Sequence, residues 1–288
     1  GTTSGSTAWS FSSLTFSNSS GSGVAVTTQS GGTGSITVAG TLTIGNGSDT
    51  AGTVLDLANR TWMFTGTSPI SVTSSPAATF TVNTSTIRFA GTSAMTVPLS
   101  YSYYNLELRP NGSGSPNYTL GSGASQTLTV TNNLTLGDGT NAVTIKADTY
   151  NPATNVAGAV TINTNTTYTK GTGTWTFNGT TATAYIDSTA SPQNLGIVSI
   201  NKTDTVAPAT NSKLTLASSM TADTMAIDGT SGQADTLNLG SSGYTLKLAN
   251  AGSTATVLTV SGTLTTGTST VQFSATNSGG NVNIPPLA

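Results

Sequence analysis

The chain has 288 residues, of which 8 are Lys or Arg and 10 are Asp or Glu, and it contains neither His nor Cys. Charged residues are 6% of the total, against about 25% in an ordinary globular protein. Eight scattered cations at a net charge of -2 exclude a nucleic-acid partner, which requires clustered Lys and Arg, and the missing Cys excludes disulfides and thiolate metal sites, so no cofactor is expected.

Polarity comes from hydroxyls instead: 61 Thr and 38 Ser fill 99 of 288 positions. Taken in chain order, short apolar-polar-apolar triplets recur as Leu14-Thr15-Phe16, Ile36-Thr37-Val38, Leu42-Thr43-Ile44, Leu55-Asp56-Leu57, Trp62-Met63-Phe64, Phe80-Thr81-Val82 and Ile87-Arg88-Phe89. Each reads as a half-buried strand with period two, and Thr is the polar residue that strands tolerate best. Gly, Ser, Asn and Asp clusters between them read as turns. This periodicity separates the chain from a flexible Ser/Thr/Gly linker. No window carries a helical stripe, and no apolar run approaches the roughly 18 to 20 residues of a spanning helix, so the class is all-β without membrane insertion. The start at Gly1, with neither Met nor a signal peptide, is read as that of a processed or excised segment of an exported protein.

Subtraction reveals a longer period. Leu14, Leu106 and Val198 are spaced by 92 and 92, as are Ile36, Leu128 and Met220; Leu42, Leu134 and Met225 follow at 92 and 91. Thr86-Ile87-Arg88-Phe89, Thr174-Trp175-Thr176-Phe177 and Thr270-Val271-Gln272-Phe273 close each repeat. The reading is one continuous repeat domain over 1–288, with sequence repeats at about 8–100, 101–192 and 193–288. A repeat of this size suits rungs of a β-solenoid or tandem immunoglobulin-like β-sandwiches. Triplets separated by only three to four residues suit the corners of a coil, so the prediction is a β-solenoid with open ends and the sandwich is the alternative. Lys146 to Val160 reads as a loop insertion.

The segments Ser102-Tyr103-Tyr104-Asn105-Leu106-Glu107-Leu108, Leu195-Gly196-Ile197-Val198-Ser199-Ile200-Asn201-Lys202-Thr203 and Leu128-Thr129-Val130-Thr131-Asn132-Asn133-Leu134-Thr135-Leu136-Gly137 resemble the units of giant bacterial "beta strand repeat" surface proteins, similar in pattern to filamentous adhesins. The resemblance covers essentially 8 to 288. It implies an exported, surface-attached or fibrous β-solenoid located outside the cell, and it carries over no catalytic residue.

The ends suggest how such a protein would act. An uncapped rung offers unpaired N–H and C=O groups to an arriving strand, and neither a capping helix nor a charged terminal rung is evident. The segment Val282-Asn283-Ile284-Pro285-Pro286-Leu287-Ala288 aligns with Met95-Thr96-Val97-Pro98-Leu99-Ser100, which runs on into the strand at Leu106; the equivalent of that strand lies at the other terminus, in Ala8 to Phe16. The expected partner is therefore the chain itself, as a head-to-tail homopolymer or as tandem copies in one polypeptide, with Trp9, Phe11, Leu14 and Phe16 of one unit meeting Val282, Ile284, Pro285, Pro286 and Leu287 of the next. Roughly 23 residues per rung at about 4.8 Å would give on the order of 60 Å per unit. The function expected is a non-enzymatic extracellular filament; the alternative is an adhesin stalk or carbohydrate-binding module whose partners are surface glycans.

Other chemistry is weaker. A carboxylate pair such as Asp138 and Asp228 would be required for polysaccharide cleavage, but the acids read mainly as turn residues. Asp228 to Asp235 has the composition of a calcium turn with too few carboxylates. Ten glycosylation sequons fall at Asn18, Asn46, Asn59, Asn83, Asn111, Asn117, Asn133, Asn165, Asn178 and Asn201, close to what chance supplies in a chain with 23 Asn. Trp9, Trp62, Tyr103, Tyr104 and Trp175 are read as inward strand residues or interface anchors before they are read as a sugar platform.

Overall fold

A computed structural model of the chain describes residues 7–18, 24–27, 32–46, 49, 52–73, 78–203, 212–229, 235–250 and 256–274. Every regular element among them is a strand of two to five residues, and every strand pairing is parallel. None of the described residues forms a helix long and apolar enough to cross a membrane. A strand too short to hold itself gains its ladder from the same position one coil away, and parallel pairing follows because each coil runs in the same direction.

Successive strands visit three faces in rotation. The first face is one sheet of eleven strands, from Trp9–Phe11 and Ile36–Val38 through Asn105–Leu108 and Leu134–Leu136 to Thr263–Thr265. The second holds three shorter sheets, beginning with Leu14–Phe16, Met95–Val97 and Met220–Ala222. The third holds a three-stranded sheet beginning with Val24–Thr27 and a seven-stranded sheet from Ser102–Tyr103 to Leu258–Val260. The chain is a β-solenoid of one continuous stack, not a row of sandwiches.

Alternation does what the triplets predicted. On the first face Ile36, Trp62, Ile87, Leu106, Leu134, Val160 and Tyr185 stack into one inward column, and Val38, Phe64, Phe89, Leu108, Leu136 and Ile162 into a second. All are buried. Each side chain removed from water contributes roughly 1.5–3 kcal/mol, and rings meet edge-on where columns approach, as Phe89 and Tyr103 do at 6.0 Å.

The coil, not the 92-residue block, is the unit of structure. Registered partners on the first face lie from 19 residues apart (Ile87 and Leu106) to 31 apart (Thr183 and Leu214), averaging about 26 over the ten steps. A step of 92 is thus about three and two-thirds coils. Leu14, Leu106 and Val198 accordingly fall on the second, first and third faces. Positions 92 residues apart land one face back each time, so the 92-residue spacing is not a repeat of the structure. The coil also exceeds the 23 residues expected, so 288 residues correspond to about 54 Å of axis at about 4.8 Å per coil.

Residues 146–160 are not an insertion. Val143–Lys146, Ala153–Val156 and Val160–Ile162 occupy the second, third and first faces in ordinary order. At corners the coils touch backbone to backbone: a Cβ on Gly66 would lie 2.4 Å from the Gly40 carbonyl oxygen, so only glycine fits there.

Cutting the buried Phe89 to Ala should therefore cost about 3–5 kcal/mol, whereas the outward Thr135→Ala should stay within about 0.5 kcal/mol; urea unfolding of both variants measures the contrast.

Candidate functional site

Among the described residues, Trp9–Phe11 begins the eleven-stranded sheet and pairs only with Ile36–Val38, and Leu14–Phe16 pairs only with Leu42–Ile44. The Trp9 N–H donates to the Ser35 carbonyl and the Ala39 N–H donates to the Phe11 carbonyl, at 2.9 and 2.8 Å. Since backbone groups alternate sides along a strand, Ser10 turns its N–H and C=O to the free edge, and Thr15 does the same on the second face. Trp9 is 40% exposed and lies 5.8 Å from the Phe11 ring. Phe11, Leu14 and Phe16 are half-buried, packed on the core from one side only.

Of the predicted partner segment, Val282, Ile284, Pro285, Pro286 and Leu287 lie outside the described residues. The last described strands at that end are Leu258–Val260, Thr263–Thr265 and Thr270–Phe273, each terminal in its sheet. Their inward side chains Val260, Leu264, Val271 and Phe273 are half-buried where their counterparts in middle coils are fully buried. The charges are distributed in the same sense, for the first ionisable side chain is Asp49 and the last is Lys247. Both ends are free of charge. Natural sheets commonly protect exposed edges with Lys or inward charges, and neither is present here among the end strands.

The charges collect in the middle, and several are buried. Arg60 is 2% exposed, donates to the Gly34 carbonyl at 3.0 Å, and occupies the space that a Gly32 side chain would need. Asp187 takes an inward position next to Ile162 on the ladder. Its Oδ1 accepts from the Thr189 N–H and hydroxyl, and its Oδ2 from the Gln193 N–H and the Tyr185 hydroxyl, so this carboxylate ties the 188–193 corner to the core. Lys202 and Asp235 are wholly buried. The Lys202 backbone N–H donates to Asp235 Oδ2 at 2.8 Å, while its ammonium donates to the Thr181 carbonyl and the Thr183 hydroxyl at 3.0 and 2.8 Å. Asp235 Oδ1 has no hydrogen-bond partner. On the surface Glu107 bridges Arg88 and Arg109, and Lys170 pairs with Asp223.

Burial lifts the Asp235 carboxyl to about 6, the Asp228 charge adding to the rise while the Lys202 N–H and ammonium oppose it. Burial lowers the Lys202 ammonium to about 8 against the pull of Asp235.

Asp138 and Asp228 are not brought together. Asp138 follows the first-face strand Leu134–Leu136 and binds Thr140 and Asn141, whereas Asp228 follows the third-face strand Thr224–Ile227 several coils on. No group of three acids able to hold a metal occurs among the described residues, and the turn from Asp228 to Asp235 is partly outside them. Of the sequon asparagines, Asn18 is buried; Asn83 and Asn165 spend their amides on Asp56 and on the Gly139 and Thr140 carbonyls. Asn59, Asn111 and Asn117 are exposed with no hydrogen bond from the side-chain amide. Trp62, Tyr103 and Trp175 point inward as expected, and Tyr104 is half-buried.

Comparison with known protein families, curated proteins and solved structures returns no match.

The buried pair makes stability depend on pH in two limbs. Asp235 holds its proton more tightly in the fold than at its unfolded value of 3.8, so its contribution is complete below that pH and is lost as pH rises through about 6. Lys202 releases its proton more readily than at 10.5, so its contribution is complete above that value and is lost as pH falls through about 8. Melting temperature measured against pH should show a trough between these two values; Asp235→Asn should flatten its acidic side and Lys202→Met its alkaline side.

Proposed function

We propose that this protein is a structural element of an extracellular filament, built by end-to-end stacking of solenoid units, and that it performs no catalysis. The observation that carries this reading is the pair of uncharged, one-sided ends: among the described residues the first and last coils each leave a sheet edge unpaired and core residues half-covered, with no ionisable side chain before Asp49 or after Lys247.

Parallel strands make the two ends complementary. The edge beside Trp9–Phe11 is the one that a preceding coil of the same handedness and direction would fill, so a second unit continues three faces at once without a change in geometry. Such a contact is heterologous and does not close, and it propagates into a fibre. Covering Trp9, Phe11, Leu14 and Phe16 would add hydrophobic burial to backbone pairing. The neighbour is either a separate chain or the next portion of a longer one. The resemblance to beta strand repeat surface proteins supports the location outside the cell.

Electron microscopy of the purified 288-residue chain tests this directly. Thin unbranched fibres with an axial repeat of about 54 Å are expected. They should be lost on removal of residues 1–17, and equally in Trp9→Lys, which places a charge on the free edge and should leave the circular dichroism of the unit unchanged. Dispersed short rods from the unaltered chain would overturn the proposal and favour a stalk segment of a larger surface protein.

A further inference from the structure

The eleven-stranded face carries outward columns as regular as its inward ones, and one of them is unlike the rest. Ladder register aligns Ala184 with Thr215, Thr215 with Asn238, and Asn238 with Thr265. In the other direction the position before Val160 and the position before Leu134 continue it as Ala159 and Asn133. Along this column the surface is hollowed into two shallow grooves that join at Thr215. Asn133, Ala159, Thr181, Thr183 and Ala184 are among the residues that line one; Asn238, Gly240, Ser241, Ser242, Tyr244 and Gly267 are among those that line the other.

The chemistry of the lining is uniform. No lining residue is ionisable at neutral pH; the nearest outward cation of this face is Lys213, two residues before Thr215 on the same strand and in the next outward column, while Arg88, Glu107 and Arg109 stand a few coils away. Most of its polar groups keep bonding capacity in hand, the exception being Asn132, whose amide donates to Asn105 Oδ1 at 2.8 Å. Asn133 uses its carbonyl oxygen to accept from the Ala159 N–H and keeps its amide N–H groups free; Asn238 accepts from the Gly240 N–H and does likewise. The hydroxyls of Thr181, Thr215, Ser241, Ser242 and Tyr244 make no hydrogen bond within the chain. Some exposed amides elsewhere are consumed locally, as at Asn163, Asn165 and Asn83, and others, at Asn59, Asn111 and Asn117, are free as in the track but stand singly. The buried Lys202 donates to the Thr183 hydroxyl, which leaves that hydroxyl's own proton pointing away from the ammonium.

We propose that this column is a binding track for an extended, uncharged polysaccharide. A neutral sugar chain presents hydroxyls that both donate and accept, and is met by amides and hydroxyls with the same dual capacity. The track repeats every coil, at about 4.8 Å, close to the advance of one hexose in an extended chain. From Asn133 to Asn238 it spans four coil steps, about 19 Å. Tyr244 stands at one end of the track, half-buried against the core, and its hydroxyl is free to bond a sugar hydroxyl. The lining gives an acidic polymer no cation of its own, Lys213 standing one outward column to the side, and an apolar peptide finds no hydrophobic pocket.

Calorimetric titration of the 288-residue chain with cellohexaose, xylohexaose and mannohexaose tests the proposal, with a galacturonic acid hexamer as the acidic counterpart and a six-residue Ser/Thr peptide as the alternative occupant. Binding of at least one neutral hexamer is expected, weakened at least tenfold by Ala184→Trp, which fills the groove, and unchanged by Thr135→Trp, which puts the same bulk on the neighbouring outward column. Failure of all three neutral hexamers to bind would overturn it. Equal binding by Ala184→Trp and the unaltered chain would do the same, as would binding of the acidic hexamer or of the peptide in preference to the sugars.

Discussion

The parallel hydrogen-bond ladder between one coil and the next is the constraint on which everything else in this molecule rests. Strands of two to five residues cannot persist alone, and their backbone groups must be paired once they leave water. Pairing with the same position one coil away forces like onto like: inward residues form columns, outward residues form columns, and corner glycines sit against the carbonyls beneath them. Stability is then a sum of neighbour terms along an axis. The same rule leaves an unsatisfied edge wherever the stack is interrupted.

Composition follows from that rule. Charges stacked at one-coil spacing repel when alike, and the chain avoids the problem by using Thr, Ser and Asn for its outer columns. Where charges do stack they alternate, as at Arg88 and Glu107. The buried ions are a different matter. Asp187 organises a corner, whereas the Lys202 and Asp235 pair fixes the third-to-first-face corners of adjacent coils, Asp235 keeping one oxygen unsatisfied. Such groups cost stability that an apolar side chain would not. They define how corners of unequal length are held over a core of uniform columns, which is where a repetitive chain is most prone to slip.

The proposed filament and the proposed polysaccharide track meet at one end of the same architecture. Association engages the terminal coils, while the track starts at Asn133 and runs along the first face to Gly267, beside the last described strand of that face. A fibre would present the track once per unit, at an interval set by the axial length. That arrangement converts weak individual sugar contacts into many in parallel.

The sequence by itself determined the class, most of the strand positions though not Ala153–Val156, which side chains of those strands face in, and the choice of a coil over a row of sandwiches. All of these follow from period two and from turns too short for sandwich connections, and both are local properties. It also revealed the 92-residue spacing, but not that the spacing steps back by a face, since a face is assigned by the summed lengths of every preceding turn. Nor did local pattern distinguish Asp187 and Asp235 from the acids of ordinary turns, because what makes them different is burial against residues 25 or more positions away. The axial groove was equally invisible: Asn133, Ala184, Thr215 and Asn238 share nothing in sequence, and only the register of four separate strands sets them in line. Register is a tertiary quantity, fixed when each coil closes on the last.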